Sequence, residues 1–367
     1  MILFKGPRDQ LLSPLQSVCG IVEKRHTLPI LSNVLMEKDG EKLTLLATDI
    51  EIQITTRTPT IGNEKASMTV GARKLQDILR SLPESAEVSL ALEDKRLQLK
   101  AGKSRFNLQT LPAEDFPRMG TADGQPSKLL ITQKQMKRLL GLVQYAMAQQ
   151  DIRYYLNGLL LVAKGKELRM VATDGHRLAY AAEQLADAPT PIEVILPRKT
   201  VLELSRQLAD SEDPLEITLT PTQARFSFGG IELVSKLIDG KFPDYERVIP
   251  QHHSKLIKLS RNTLLHSLLR AAILTNEKFR GVRLVLGEGS LKIISSNAEQ
   301  EEAQEEIEIE YGGEALDVGF NVTYLLDVLN NVSNETIELH LADANSSALF
   351  VLPGNETFKY VVMPMRI

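Results

Sequence analysis

The fold is decided by residues 136–174, which read MKRLLGLVQYAMAQQDIRYYLNGLLLVAKGKELRMVATD. The segment opens with apolar residues at helical spacing, among them Met136, Leu139, Leu140 and Val143. It closes with the alternating apolar and polar residues of a half-buried strand. A helix followed by such strands predicts an α+β unit, in which an antiparallel sheet has one buried face.

The same pattern occurs twice more in the sequence, at residues 11–49 and 264–297. The three copies end at Asp49, Asp174 and Asn297, so their ends are 125 and 123 residues apart. A self-similarity that returns at a fixed period indicates that one fold is repeated along the chain.

A second landmark returns with nearly the same period. It reads GARKLQDIL, LPRKTVLEL and FNVTYLLDV, and it starts at Gly71, Leu196 and Phe320, which are 125 and 124 residues apart. In each copy a second amphipathic helix precedes further strands, so every domain is a doubled helix-plus-antiparallel-strand unit. The predicted domains are 1–124, 125–251 and 252–367.

Composition is that of a globular protein. Hydrophobic residues make up 43% of the 367 residues and charged residues 25%, and the longest apolar runs are shorter than the ~20 residues of a membrane helix. Cys19 is the single cysteine, so no internal disulfide can form and a reducing, cytoplasmic location is expected. The absence of tryptophan argues against a protein that grips bases by stacking.

The charges are segregated along the chain. The net charge is −4, yet the predicted helices carry 14 basic and 5 acidic residues, while residues 299–310 read EQEEAQEEIEIE. If the helices share one side of a sheet, that side is positive and suits binding to phosphates, without sequence preference and sensitive to salt. The alternative is that these are ordinary solvated lysines and arginines. The predicted helices are 8–25, 73–82, 134–148, 198–209, 261–273 and 322–332.

Segments along the whole chain carry a family resemblance. They are TLPILSN (27–33), GARK (71–74), SRFNLQTLPAEDFP (104–117), MAQQDIRYYLNG (147–158), VATDGHRLA (171–179), LPRK (196–199), SKLIDGKFPDYERV (235–248), AAILTNEKFRGVRL (271–284), EQEEA (299–303), GFNVTYLLDVL (319–329) and YVVMPMRI (360–367). With these segments the chain closely resembles the bacterial β sliding clamps, the processivity subunits of DNA polymerase III.

The resemblance implies a function and a set of partners. It implies a non-catalytic, head-to-tail homodimer of three-domain subunits, which forms a ring around duplex DNA and tethers the replicative polymerase. The expected partners are duplex DNA, a second copy of the chain, the polymerase III catalytic subunit, the clamp loader and other proteins that carry short peptide motifs. No cofactor or metal is expected. The alternative is a ring-shaped scaffold that does not bind DNA.

The resemblance also implies a groove for partner peptides. Methionines suit such a groove, because their flexible side chains adapt to several partners. The alternative for the segment YVVMPMRI is a strand packed on the core. The implied groove residues are Leu156, Thr173, Gly175, His176, Arg177, Leu178, Pro243, Arg247, Val248, Asn321, Tyr324, Ser347, Val361, Met363, Pro364, Met365 and Arg366.

For DNA, the resemblance implies residues that point toward the duplex. Arg73 and Arg198 occupy equivalent repeat positions, so both would face the same way, and loose phosphate contacts hold DNA without fixing a register. Individually each cation could be an ordinary surface charge. The implied DNA-binding residues are Arg25, Arg73, Gln150, Tyr154, Arg198 and Lys199.

Ring closure by one head-to-tail contact needs two different surfaces. The first predicted domain contains apolar residues flanked by lysine and arginine. The third contains the apolar pair Ile273 and Leu274 beside the acidic run 299–310. Ile273 and Leu274 could instead belong to the core, and the acidic run could be a solvated strand edge. The predicted interface residues are Lys74, Ile78, Leu82, Lys103, Arg105, Phe106 and Leu108 on one surface, and Ile273, Leu274, Glu299, Glu301, Glu302 and Glu305 on the other.

Catalytic interpretations have weaker support. Asp174 and His176 could form an acid–base pair, but the repeats place Asp49 and Asn297 at the position of Asp174, which favours a turn residue. The pair His252-His253 could bind a metal, but no further ligand lies at a suitable spacing. The sequence therefore predicts a protein that is not an enzyme.

Overall fold

A computed structural model describes residues 1–23, 28–93 and 95–367. Two helices begin with a side-chain cap: the Ser260 hydroxyl accepts a hydrogen bond from the Thr263 amide, and the Asn321 side chain accepts one from the Thr323 amide. The six described helices are α1 (Arg8–Cys19), α2 (Ala72–Ser81), α3 (Gln133–Val143), α4 (Arg198–Gln207), α5 (Arg261–Ala272) and α6 (Val322–Asn331).

Each predicted helix is present, although two of them end five or six residues earlier than expected. Helix α1 ends at Cys19 before Gly20, and α3 ends at Val143, whose φ of −127° leaves the helical region. The described helices carry twelve Lys or Arg and four Asp or Glu, because α1 ends before the basic residues at 24 and 25. Some of these cations are neutralised locally, as in the ion pairs Arg138–Glu183 and Arg206–Glu203.

Many of the described strands alternate buried and exposed residues, as antiparallel strands with one buried face do, whereas others, such as 52–59 and 158–164, contain runs of buried residues. They are β1 (Ile2–Pro7), β2 (Asn33–Asp39), β3 (Lys42–Thr48), β4 (Ile52–Pro59), β5 (Lys65–Gly71), β6 (Glu87–Glu93), β7 (Arg96–Ala101), β8 (Ser104–Leu111), β9 (Ser127–Thr132), β10 (Gly158–Lys164), β11 (Glu167–Thr173), β12 (Arg177–Gln184), β13 (Ile192–Pro197), β14 (Pro214–Leu219), β15 (Gln223–Phe228), β16 (Ile231–Lys236), β17 (Lys255–Ser260), β18 (Gly281–Gly287), β19 (Ser290–Ser296), β20 (Glu302–Glu308), β21 (Leu316–Asn321), β22 (Thr336–Leu341), β23 (Ala348–Leu352) and β24 (Asn355–Val362).

The residues form two compact units. Unit 1 comprises Met1–Lys134 and Leu202–Leu237, and it contains a twelve-stranded antiparallel sheet in the order β1-β6-β7-β8-β5-β2-β3-β4-β16-β15-β14-β9. In this sheet β4 of the first repeat pairs with β16 of the second, from Ile231 opposite Thr56 to Ser235 opposite Ile52. Helix α2 packs its buried face, including Leu75 and Leu79, into the core of this unit.

Unit 2 comprises Gln135–Val201 and Ile238–Ile367. It holds an eight-stranded sheet in the order β13-β10-β11-β12-β24-β23-β22-β17 and a four-stranded sheet in the order β20-β19-β18-β21. Strand β12 of the second repeat pairs with β24 of the third, as β4 pairs with β16 in unit 1. The second repeat is thus divided between the units, because its strands pair with neighbours from both other repeats.

None of the described helices is long and apolar enough to cross a membrane.

Candidate functional site

A tight turn at residues 173–177 forms one wall of the candidate site in unit 2. The Asp174 carboxylate accepts hydrogen bonds from the amides of His176 (2.9 Å) and Arg177 (3.1 Å). The Thr173 hydroxyl donates to the Arg177 carbonyl (2.6 Å) and accepts from the Gly175 amide (3.1 Å). Gly175 has φ of +90°, a left-handed conformation that glycine adopts without strain.

The same turn occurs in unit 1, which explains the recurring aspartate. The Asp49 carboxylate accepts from the amides of Glu51 (3.0 Å) and Ile52 (2.8 Å), and Ile50 takes the left-handed position at φ of 71°. Asp174 therefore caps its own turn, as the repeat pattern indicates, and its carboxylate also pairs with Arg177 rather than with an imidazole.

Arg177 is the centre of a buried ion-pair network. Its side chain is 9% exposed, and Nε lies 3.1 Å from an Asp174 oxygen. Nη1 pairs with Asp327 of α6, Nη2 donates to the Tyr145 carbonyl (2.7 Å), and the guanidinium lies 4.5 Å from the centre of the Tyr324 ring. Arg177 thus holds three separate segments together, and its donors already have partners within the chain.

The floor of the site is an apolar cluster. Leu156, Leu178 and Val361 are almost completely buried in it, together with Phe242 and Tyr245. The predicted groove residues Leu156, Leu178 and Val361 therefore lie beneath the surface and shape the groove mainly through packing.

Other predicted groove residues stand around this floor with accessible side chains. Met363 is 49% exposed, and its amide donates to the His176 carbonyl (2.9 Å). The His176 ring stacks on that of Tyr324, with ring centres 6.5 Å apart. The remaining members are exposed or half-buried: Gly175, Pro243, Arg247, Val248, Asn321, Ser347, Pro364, Met365 and Arg366. Together they form an adaptable apolar surface with polar margins.

A loop that is hydrogen-bonded to this turn carries two predicted DNA-binding residues, Gln150 and Tyr154. Arg153 donates to both carboxylate oxygens of Asp151, at 3.0 and 2.8 Å, and to the Asp174 carbonyl (3.2 Å). Tyr154 remains exposed. These hydrogen bonds join the loop to the turn and leave Gln150 and Tyr154 exposed.

The loop and the turn line an open polar pocket of about 340 Å³. The predicted DNA-binding residue Arg198 lines this pocket and donates to the Met147 carbonyl (3.3 Å). Asp151, Asp174, His176 and Arg177 also line it, so the lining contains both carboxylates and basic side chains. Their ion pairs within the chain account for this mixture.

The pKa of Asp151 is expected near 2, because hydrogen bonds from Arg153 stabilise the carboxylate. Since the folded pKa lies below the unfolded value of about 3.9, the stabilisation is present above that value and is lost as pH falls toward 2. Arg153→Gln should return the pKa toward its ordinary value, as NMR titration of the carboxyl carbon would show. Arg247→Gln serves as the control, and an unchanged Asp151 pKa in the Arg153 variant would contradict the assignment.

The other predicted DNA-binding residues lie on helices, except for one that is outside the described residues. Arg25 lies outside the described residues. Arg73 is in α2 of unit 1, where Nη2 donates to the Val22 carbonyl (2.5 Å). Arg198 and Lys199 begin α4 in the part of it that belongs to unit 2. Each unit therefore carries at least one of the predicted arginines at the start of a helix.

The first predicted interface surface lies in unit 1. Lys103 and Arg105 are exposed and Phe106 and Leu108 are half-buried, all of them on β8 or in the turn before it. On α2, Lys74 is exposed and Ile78 is half-buried. Leu82 is only 9% exposed, so most of its side chain belongs to the core of its own unit.

The second predicted interface surface lies in unit 2. Ile273 is 77% exposed at the end of α5, and Leu274 is half-buried beside it. Glu299, Glu301 and Glu302 are exposed. Glu305 instead pairs with Arg270 of the same chain, which also holds the pKa of Glu305 below its usual range.

The described residues offer no metal site. His253 lies edge-on to His340, with ring centres 5.6 Å apart, a proximity that the spacing of the histidines could not indicate. Among residues 1–23, 28–93 and 95–367, however, no group of three His, Cys, Asp or Glu side chains is arranged to hold a metal ion. Sequence reasoning also missed Tyr145, Arg153 and Asp327, because their roles arise from contacts with distant residues.

Family models for three domains of one protein match consecutive parts of the chain. The models of the N-terminal, central and C-terminal domains of the DNA polymerase III beta subunit match residues 3–120, 130–244 and 246–366. The chain belongs to the family of beta sliding clamps of DNA polymerase III. This membership confirms the predicted fold of three tandem clamp domains and the predicted function of a DNA sliding clamp, a processivity factor without catalytic activity.

Individual sliding clamps are similar to this chain over their whole length. The beta sliding clamp of Pseudomonas putida is 48% identical, with 99% of this chain and 100% of the relative aligned. That of Escherichia coli K12 is 44% identical over the same shares. The solved clamp of Pseudomonas aeruginosa bound to griselimycin has a TM-score of 0.96 and 47% identity, and all of both chains is covered.

Proposed function

We propose that two copies of this clamp close head to tail into a ring around duplex DNA. The observation that carries the proposal is a pair of strand edges. Residues 104–109 of β8 pair with β7 on one side, and β5 reaches β8 only at Thr110 and Leu111. Strand β20 is the edge of its four-stranded sheet. Unpaired strand edges favour the addition of another strand, and head-to-tail pairing of β8 with β20 would cover both.

The two edges are chemically complementary. Lys103 and Arg105 stand at β8, whereas exposed glutamates, including Glu299, Glu301 and Glu302, stand at and just before β20. Apolar side chains accompany the charges, because Phe106 and Leu108 are half-buried on β8 and Ile273 is largely exposed near β20. Opposite charges set the register of such an interface, and the apolar residues supply most of its affinity.

We propose that the groove in unit 2 receives short peptide motifs of the polymerase III catalytic subunit, the clamp loader and other clamp-binding proteins. The support is the exposed methionine and valine around a buried apolar floor, with the arginine Arg247 at the margin. Arg177 supports this groove from beneath, since its donors are engaged within the chain.

We also propose DNA contacts, domain limits and a cytoplasmic location for this clamp. Arg73, Gln150, Tyr154, Arg198 and Lys199, together with Arg25, would touch the sugar-phosphate backbone without reading sequence. The domains would be 1–124, 125–251 and 252–367, and the single buried Cys19 fits a reducing cytoplasm.

Retention on circular DNA tests the ring. The protein is loaded on a nicked circle with a clamp loader, washed in high salt and then treated with a nuclease that linearises the circle. We expect it to stay on circles and to leave linear DNA, because a closed ring is lost only over an end. Equal loss from both forms in high salt would show ordinary electrostatic binding and would contradict the ring.

A charge-reversal variant distinguishes the contribution of charge to loading from the retention of a closed ring on circular DNA. Arg73→Glu combined with Arg198→Glu should load less efficiently, because phosphates attract the ring during loading. Once loaded, the variant should remain on circles in high salt as the unmodified protein does. Unchanged loading would favour a ring that does not use these residues for DNA.

A further inference from the structure

The last residues of the sequence are seated against the edge of the four-stranded sheet. Strand β21 is at that edge, and Met365 forms an isolated antiparallel bridge with its Gly319. The Met365 amide donates to the Gly319 carbonyl at 2.9 Å. Residues 363–367 thereby protect part of a strand edge that would otherwise be open.

Two glycines make room for this segment. A Cβ atom on Gly319 would lie 2.5 Å from the Met365 carbonyl oxygen, and 2.7 and 2.8 Å from Cδ1 and Cγ1 of Ile367. A Cβ atom on Gly281 of the neighbouring β18 would lie 3.0 Å from Cδ1 of Ile367. Neither glycine has a positive φ, so both positions require a small residue for space rather than for backbone conformation.

The seated segment is also part of the groove wall. The Met363 amide donates to the His176 carbonyl (2.9 Å), which continues the pairing of β24 with β12. Two residues later Met365 is bound to β21. The chain between these two hydrogen bonds has little freedom, so the position of Met363 depends on how closely Met365 approaches Gly319.

We propose that Gly281 and Gly319 form a slot that positions the groove: they seat Met365 and Ile367, and so hold Met363 in place for ligand binding. Ile367 then acts as an anchor, although the sequence offers no sign that its side chain has a role. The inference rests on the groove described under Proposed function. The deletion variant and the glycine variants together distinguish a failure of the slot from a failure of the groove.

The test compares alanine at two glycines of the same sheet. Griselimycin, the ligand of the solved Pseudomonas aeruginosa clamp, is the probe of the proposed groove. Gly319→Ala should raise the dissociation constant for griselimycin about tenfold, because the new methyl group displaces the Met365 backbone. Gly287→Ala is the matched control on β18, where a Cβ would have only Ser290 Oγ nearby, at 3.8 Å, and affinity should stay within about twofold. Hydrogen exchange of the Met365 amide should accelerate in Gly319→Ala and remain slow in Gly287→Ala.

A second pair of variants tests the same slot should Gly319→Ala fold poorly. Gly281→Ala should weaken binding less, because the contact at 3.0 Å is with a side chain. Adding Ile367→Ala removes that contact, and affinity should return to the level of the Ile367→Ala single variant. Failure of this rescue, or a Gly319→Ala protein with unchanged affinity and a protected Met365 amide, would overturn the slot.

Deleting residues 363–367 provides the reference for the groove itself. We expect this deletion to abolish griselimycin binding. Unchanged affinity after the deletion would show that griselimycin binds elsewhere and would contradict the proposed groove, whatever the glycine variants do. Lost affinity after the deletion, combined with normal affinity in Gly319→Ala, would leave the groove standing and contradict the slot.

Discussion

Replacing Ile273 and Leu274 together by alanine is expected to convert the proposed dimer into monomers. Ile273 is 77% exposed at the end of α5, and Leu274 is half-buried beside it, so neither is needed to complete the core of unit 2. Apolar anchors at the centre of an interface each contribute about 2 kcal/mol or more, and losing two should raise the dissociation constant by about 1,000-fold.

Light scattering at submicromolar concentration measures this effect directly. The mass should fall from that of two chains to that of one, while circular dichroism stays unchanged. Leu256→Ala is the matched control, because Leu256 is 46% exposed on β17 of the same unit and is not part of the predicted surface. A variant that keeps the dimeric mass down to nanomolar concentration would contradict the proposed interface.

Arg177→Ala is expected to destabilise unit 2 by about 3 kcal/mol, because it removes a buried guanidinium and leaves two partly buried carboxylates without their partner. Asp174 and Asp327 would both lose their ion pairs, and the Tyr145 carbonyl would lose a donor. Stability rather than ligand contact should dominate the phenotype, since the guanidinium is buried beneath the groove. Urea denaturation with hydrogen exchange at β12 would measure the loss.

A second arginine of the predicted groove supplies a matched control. Arg247 is 87% exposed and forms an ion pair with its neighbour Asp244 at the protein surface. Arg247→Ala should therefore change stability by less than about 1 kcal/mol, as exposed ion pairs usually do. Equal destabilisation by the two variants would show that the Arg177 network does not support unit 2.

Local features were predictable because a few neighbouring residues encode them. The helical spacing of Leu75, Ile78 and Leu79 predicted α2, and the aspartate at the end of each strand predicted the turns at Asp49 and Asp174. The recurrence of the aspartate favoured a turn residue, and in both turns the carboxylate accepts hydrogen bonds from two backbone amides. Helix ends were less accurate, since α1 stops at Cys19 where Gly20 follows, despite a pattern that allowed it to continue.

The sequence by itself determined the repeated α+β architecture, the six helices and the segregation of charge, because periodicity and composition are properties of neighbouring residues. Only the tertiary structure decided which distant partners meet. Arg177 reaches Asp327 across 150 positions, Glu305 is neutralised by Arg270, and Met365 finds Gly319 because packed sheets bring them together. Such contacts depend on how closely backbones approach, and the role of Gly319 is visible only once the chain that passes over it is in place.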